Sequence, residues 1–422
     1  MNTIVRPDDV RRQNQLGVLL ALRRRGGLSR TELSAATGLS ASTVTVITNS
    51  LIERGVIAAE QISELPAQRR GRPQIRLAPN PSHASVAVIL LALNRVTADI
   101  YDYGGGVIAS TTVNVKTKSM TGEQLIGATI STLGALLDGQ GHGIGPLARI
   151  SVGVEGIVDG AGRVFLSSPV IDEQNIPLGE ALEREFMAPT ELANECNMIA
   201  EALRWRAPER YGPNFAAVVM TIGIGMGLYL NGHLFSGITS SATEFGHICY
   251  KPGGALCRCG RRGCVEAYAG QHSIWRAAMG ADTSRMLAEE PTAGDMRRLA
   301  DRARSAPGPE RDAFEEAGRA IGTGLSNLFS MFDPIPLVFA GPGVQFMDLM
   351  KESITTALDN PSYGLPVTIS VIDEDPDHVA LTKAGNLMSA LTFLDANIPG
   401  AGDVPDASAR TGAASPAGKK TA

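Results

Sequence analysis

The spacing of apolar residues changes character along the chain. From Asp8 to about Arg25, Leu16, Leu19 and Leu20 stand at i, i+3 and i+4 among arginines, which predicts a helix. Gly26-Gly27 breaks it. Ser29-Arg30-Thr31-Glu32 then has the form of a capping box, in which a serine hydroxyl takes the amide three residues on and a glutamate reaches back. Leu28 and Leu33 occupy the flanking staple positions, and Gly38 suits the end of a short second helix. Leu39-Ser40 opens a third helix that runs to near Gly55. In it Val44, Ile47 and Leu51 form the inward stripe, which turns Ser42, Thr43, Thr45, Thr48 and Asn49 outward. Val56–Ala59 and Gln74–Leu77 read as the two strands of a wing. Two short helices about a tight turn, followed by a wing, predict a winged helix-turn-helix.

Beyond Ala78-Pro79-Asn80-Pro81 the pattern alternates between strands and helices. Val86–Leu93, Arg95–Tyr101 and Val107–Val115 have strand character, with Gly104-Gly105-Gly106 as a turn. Helical stretches at Gly122–Leu137 and Leu178–Phe186 alternate with strands at Ile150–Val154 and Ala216–Ile222. Later a strand, Val367–Ile372, precedes a helix from His378 to about Leu394. The expected fold class is α/β, built as an N-terminal winged helix-turn-helix (residues 1–78), a linker (79–82), a large domain (83–395) and a disordered tail (396–422).

Charge sharpens this division. Residues 1–76 hold 12 arginines, no lysine and 6 acidic residues, a balance of +6, whereas the rest of the 422-residue chain balances at −11. A basic module on an acidic body predicts that one end meets a polyanion. Arg30, Ser42, Thr43, Thr45, Thr48 and Asn49 are the candidates for contact with double-stranded DNA. Arg69, Arg70 and Arg72, between the wing strands, are candidates for phosphates or a minor groove. No apolar run approaches the ~20 residues of a membrane span. The first residues lack the apolar core of a secretory leader, and five clustered cysteines do not make a disulfide scaffold, so a cytoplasmic protein is expected.

The densest chemistry lies at Glu244-Phe245-Gly246-His247 and Cys257-Arg258-Cys259-Gly260-Arg261-Arg262-Gly263-Cys264-Val265-Glu266. Three thiols within eight residues and a histidine ten residues upstream can close a Cys₃His site, and this soft donor set favours zinc over calcium or magnesium. A redox pair of Cys257 with Cys259, or simply buried thiols, are the other readings of the same residues. Cys196 and Cys249 stand apart and read as ordinary buried thiols.

Glu-x-Gly-His followed by Cys-x-Cys-Gly-x-x-Gly-Cys-x-Glu resembles the hallmark of the ROK family, which groups repressors, open reading frames and sugar kinases. With the N-terminal module, the chain resembles that family's sugar-responsive repressors from about residue 10 to 395. The resemblance implies two actin-like or hexokinase-like α/β lobes around a sugar cleft. It implies that Glu244, His247 and Glu266 hydrogen-bond sugar hydroxyls, with His247 binding zinc through its other nitrogen. Asn194-Glu195-Cys196-Asn197 matches the family's Asn-Asp-x-Asn, whose aspartate is the catalytic base of the kinases. Asn194 and Glu195 are therefore expected at the sugar, and Glu195 sets its carboxylate one methylene out of line for catalysis. Gly153–Asp159 matches a stretch that carries proline where this chain has Glu155. Ser167-Ser168-Pro169-Val170-Ile171 stands where relatives carry an asparagine.

The kinases also open the lobe with Asp-x-Gly-Gly-Thr, whose backbone amides approach phosphate. The corresponding residues here are Leu90-Leu91-Ala92-Leu93-Asn94. Glycine turns at Gly223–Gly227 and Gly341–Gly343 survive, but without the first loop no kinase activity and no catalytic residue are expected. The expected function is a sugar-responsive DNA-binding regulator, a repressor released from its operator by a sugar or sugar derivative. It would act as a homodimer or a dimer of dimers on half-sites about one helical turn apart. A sugar kinase carrying a DNA-binding domain, or a repressor controlled by a protein partner, are the alternatives. Small residues from Ala317 to Leu325 predict a closely packed helix.

Overall fold

A computed structural model describes residues 7–59, 75–141, 144–241, 243–285, 290–331, 333–358, 369–371 and 377–398. The chain forms two compact units: the described residues of Met1–His83 with Thr392–Ala422, and those of Ala84–Leu391. Among the described residues no helix is long and apolar enough to cross a membrane.

In the first unit α1 (Pro7–Arg25), α2 (Arg30–Thr37) and α3 (Ala41–Glu53) are followed by β1 (Ile57–Ala59) and β2 (Leu77–Pro79). The predicted capping box is present: Glu32 N–H donates to Ser29 Oγ, and Ser29 N–H donates to a Glu32 carboxylate oxygen. Gly38 ends α2 at φ +72°, a left-handed conformation that a side chain would resist. The inward face of α1 is turned relative to the sequence expectation. Gln15, Val18, Leu19 and Leu22 are buried, while Leu16 and Leu20 are half-buried. The reason is tertiary, since Gln15 Nε2 donates to Ile398 O near the C-terminal end of the described chain. β1 and β2 pair antiparallel, Ile57 opposite Pro79. The second wing strand thus lies later than predicted and includes a proline at the last pair, where no further ladder bond needs its missing N–H. Arg69, Arg70 and Arg72, and residues 399–422, lie outside the described residues; the start of the expected disordered tail is instead helical, the last helix running on to Asn397.

The second unit holds two five-stranded sheets. The first is made by β3 (Ser85–Ala92), β4 (Arg95–Asp102), β5 (Val107–Asn114), then α4 (Gly122–Asp138), β6 (Leu147–Val154), a small hairpin of β7 (Ile157–Val158) and β8 (Phe165–Ser167), α5 (Leu178–Phe186) and β9 (Thr190–Asn194). Its order is β5-β4-β3-β6-β9. After α6 (Glu195–Arg206) and α7 (Pro208–Tyr211), the second sheet is built from β10 (Phe215–Met220), β11 (Ile224–Leu230) and β12 (His233–Leu234). The chain continues with α8 (Glu266–Ala269), α9 (Gln271–Ala278), α10 (Ala293–Ser305), α11 (Pro309–Phe329), β13 (Leu337–Ala340), α12 (Lys351–Leu358), β14 (Ile369–Val371) and α13 (His378–Asn397). The order is β12-β11-β10-β13-β14.

The two sheets therefore repeat one plan: an antiparallel three-strand meander whose first strand also leads into two parallel strands. The central strands β3 and β10 are buried on both faces and, past Ser85 at the start of β3, are apolar throughout, as buried parallel pairing requires. In α11 the small residues let backbones meet: a Cβ at Gly318 would lie 2.6 Å from Met350 O, and one at Gly322 would lie 2.5 Å from Ile354 O at the start and middle of α12. Strands β6 and β9 end side by side at the paired Val154 and Asn194, so Glu155 and Glu195 follow directly from adjacent strand ends.

Candidate functional site

The helix-turn-helix presents a defined polar face. Ser40 caps α3, with Thr43 N–H donating to Ser40 Oγ at 3.2 Å. Ser42, Thr45 and Asn49 are exposed, and Thr43 is half-buried with its hydroxyl 2.8 Å from Ser40 Oγ. Thr48 departs from the expectation of an outward side chain: it is fully buried. Helical rotation puts it beside Val44 and Leu51, and its hydroxyl accepts from Arg30 Nε at 2.9 Å while donating to Thr45 O. Arg30 also donates to Asn49 Oδ1 at 2.9 Å. It is thus a brace for α3.

A second constellation lies on the loops between β12 and α9. Glu244 precedes a 3₁₀ turn at Phe245–His247, where Gly246 lets the backbone lie against Ile224 O, too close for a Cβ. The cysteine loop returns through Gly263, at φ +81° and pressed on Lys251 O, so only glycine fits there. These turns bring together His247, Cys257, Cys259 and Cys264, whose ligating atoms all lie within 4.8 Å of one another. His247 Nδ1 is 3.6 Å from Cys257 Sγ, and Cys259 Sγ is 3.8 Å from Cys264 Sγ. Burial pushes the Cys257 thiol up. Three thiols and an imidazole at this spacing, with room to converge on one point, fit a tetrahedral metal ion. Cys196 is buried as expected, but Cys249 is exposed; it sits in a single bridge opposite Cys264, with its side chain on the outer face.

The other face of His247 looks toward carboxylates. His247 Nε2 is 3.7 Å from Glu244 Oε2, so the two ring nitrogens address two different environments. Glu266, largely buried in the first turn of α8, accepts from Ile224 N–H and lies 3.7 Å from Cys257 Sγ. Burial pushes the Glu244 carboxyl up, against the pull of His247.

Asn194 and Glu195 stand at the end of β9. Asn194 caps α6, its Oδ1 accepting from Cys196 N–H at 2.8 Å, and its Nδ2 donates to Gly156 O at 2.8 Å. It thereby binds the loop that carries Glu155 to the helix that begins at Glu195. The two glutamates line one pocket with Leu90, Ala92, Arg95 and His378. Burial pushes the Glu195 carboxyl well up, and the Glu155 charge pushes it further. Burial also raises Glu155, against Arg258 and Arg95. β3 and β4 join through a tight hairpin, Ala92 opposite Arg95, and Leu90 and Leu91 are buried.

Arg95, His378 and Thr382 were not singled out by sequence reasoning. Arg95 directly follows the turn of the β3–β4 hairpin, a signal that could have marked it. His378 and Thr382 come from α13 and reach the pocket only through the tertiary fold.

Comparison with known proteins agrees with this architecture. The chain is 23% identical over 371 residues to a xylose repressor of Caldicellulosiruptor bescii, covering 86% of this chain and 92% of that protein. It is 24% identical over 375 residues to the DNA-binding transcriptional dual regulator NagC of Escherichia coli, covering 87% and 90%. The crystal structure of a ROK family transcriptional regulator, a homologue of the E. coli MLC protein, superposes with TM-score 0.74 at 20% identity, over 92% of this chain and 99% of that one. The expected fold, a winged helix-turn-helix followed by a two-lobed actin- or hexokinase-like domain, is thus the one observed. Residues 11–58 match the winged helix-turn-helix DNA-binding family, and with residues 102–372 matching the ROK family, this chain is a member of the ROK family.

Proposed function

We propose that this protein is a sugar-responsive transcriptional regulator, a repressor that leaves its operator when a sugar or sugar derivative binds the cleft. One observation carries the reading. A basic winged helix-turn-helix is joined to a ROK unit in which Glu244, His247 and Glu266 gather beside the cysteine loop, while β3 and β4 join through a hairpin with buried leucines. The relatives named above as a xylose repressor and a DNA-binding regulator support it.

In this reading Glu244, His247, Glu266, Asn194 and Glu195 bind the sugar's hydroxyls, carboxylates accepting from vicinal diols. His247, Cys257, Cys259 and Cys264 hold a zinc ion, which supplies a fixed cross-link for the loop and orients His247 so that Nε2 faces the sugar. Ser42, Thr45 and Asn49 meet base edges, Thr43 and Arg30 support them, and the wing's Arg69, Arg70 and Arg72 hold phosphates. Thr48 acts through Arg30 rather than on DNA. A homodimer reads two half-sites in the cytoplasm.

The chain passes between its two units twice, at His83–Ala84 and within α13 at Leu391–Thr392. These are the covalent paths by which the cleft can bias the DNA-reading helix. Release requires that the sugar prefer the weakly binding geometry, since equal affinity for both shifts nothing. Phosphoryl transfer is absent from this reading because buried leucines replace phosphate-binding amides and Glu155 sets a second carboxylate beside Glu195, where a phosphoryl group would meet repulsion.

Thermal unfolding across a panel of mono- and disaccharides, amino sugars and sugar phosphates, with and without ATP, tests all of this together. The expected result is a rise in melting temperature with one sugar class, indifferent to ATP, and weaker operator binding with that sugar. A rise that needs ATP, with ADP release, would return a kinase. No rise with any sugar would point to control by a protein partner.

A further inference from the structure

The exposed face of α3 includes an apolar residue among the polar ones. Ser42, Thr45, Val46 and Asn49 are all exposed, and Val46 is 65% accessible. Helical spacing places Val46 between Ser42 and Asn49, with Val44, Thr48 and Leu51 buried on the opposite side. Among the described residues, packing leaves most of the Val46 side chain exposed. The face on which they stand is the one a helix-turn-helix lays in the major groove, and the module that carries it is basic.

Asn49 beside it is not free to turn. Arg30 Nη2 donates to Asn49 Oδ1, while Arg30 Nε is anchored on the buried Thr48 hydroxyl. A guanidinium can only donate, so the Asn49 amide must hold its oxygen toward Arg30 and turn its NH₂ away. An asparagine that reads adenine in the bidentate way needs oxygen and NH₂ both aimed at the base. Asn49 instead offers a donor, which suits an acceptor edge: guanine O6 and N7, or thymine O4.

We propose that Val46 reads the 5-methyl group of a thymine in the major groove, next to an acceptor base edge met by Asn49 Nδ2. This rests on the DNA-binding reading above. The major groove shows a methyl only at thymine, so an apolar side chain there discriminates against cytosine and uracil.

The test uses the full chain. Sites are selected from a random double-stranded DNA pool, and in the selected site each thymine is replaced singly by uracil, which removes one methyl and nothing else. The expected result is one thymine per half-site whose replacement weakens binding about fourfold, the worth of one buried methyl. V46A should bind with the same salt dependence, because no phosphate contact is lost, and should be indifferent to uracil at that position. A melting curve matching that of the parent chain shows V46A folded, as its exposure leads one to expect. Indifference of the parent chain to every uracil, or a sensitivity that survives in V46A, would overturn the assignment to Val46 while leaving DNA binding intact. Failure to enrich any DNA would overturn both readings.

Discussion

Arg23 and Asp395, 372 residues apart in sequence, form a two-pronged buried ion pair inside the first unit. Arg23 Nε donates to Asp395 Oδ2 at 2.5 Å and Nη2 donates to Oδ1 at 2.8 Å, with side chains 3% and 0% exposed. The end of α13 is thereby fastened to α1, the first helix of the winged helix-turn-helix.

Removing the Asp395 charge should deprive the buried Arg23 guanidinium of this two-pronged partner. Asp395→Asn is expected to cost about 3–5 kcal/mol in the first unit, and the paired change Arg23→Met with Asp395→Leu should recover most of it. Hydrogen exchange of the α1 amides reads this directly. Protection of α1 unchanged in Asp395→Asn would mean that the pair does not hold the helix.

The pocket carboxylates predict an unusual pH dependence. Glu155 and Glu195 have folded-state values raised above the ordinary 4.5 by burial. Below the ordinary value they are neutral in both states and cost nothing; as pH rises toward their folded values, ionisation is disfavoured in the fold and stability falls. Glu155→Gln removes one such charge and its repulsion on Glu195. Its melting temperature should exceed the parent's near neutral pH, and the gap should close as pH falls to about 4. A gap that widens on acidification would contradict the assignment.

The cysteine cluster predicts about one equivalent of zinc per chain in protein purified without chelator. A strong chelator should lower the melting temperature, as should Cys257→Ser. Because thiols must lose their protons to bind metal, zinc affinity should drop on acidification. Elemental analysis finding far less than one equivalent would remove the metal from this site.

Gly322→Ala opposes two effects of known size. Alanine in a helix interior gains roughly 0.5–1 kcal/mol over glycine. The new Cβ, however, would lie 2.5 Å from Ile354 O and 2.6 Å from Ala357 Cβ, and forcing packed backbones apart costs about 1–3 kcal/mol. Net destabilisation is expected in a circular dichroism melt. A stabilised variant would mean that α11 and α12 separate at little cost.

Local signals were legible in the amino-acid order, and non-local ones were not. The Ser29–Glu32 capping box, the Gly38 stop and the His247–Cys264 spacing each depend on residues close along the chain or on a backbone conformation that only one residue type adopts easily. Thr48 was misplaced because alternation of polar and apolar residues on α3 is imperfect. A threonine whose hydroxyl is satisfied by Arg30 can be buried like a valine. Cys249 was misplaced because a cysteine carries no polarity to tell one face of an irregular strand from the other.

The order of residues by itself thus determined the division into a basic helix-turn-helix and an acidic α/β body, the Cys₃His donor set and the apolar run that leads into the β3–β4 turn. Each of these is a matter of composition or of spacing within a few turns. Only the tertiary structure decided which face of α1 is buried, that Arg23 meets Asp395, and that Glu155, Glu195, Arg95 and His378 share one pocket. Those pairings join segments brought together by sheet order and by burial. Their energy comes from removing water around groups that are distant in the chain, and no local pattern records which distant groups will meet.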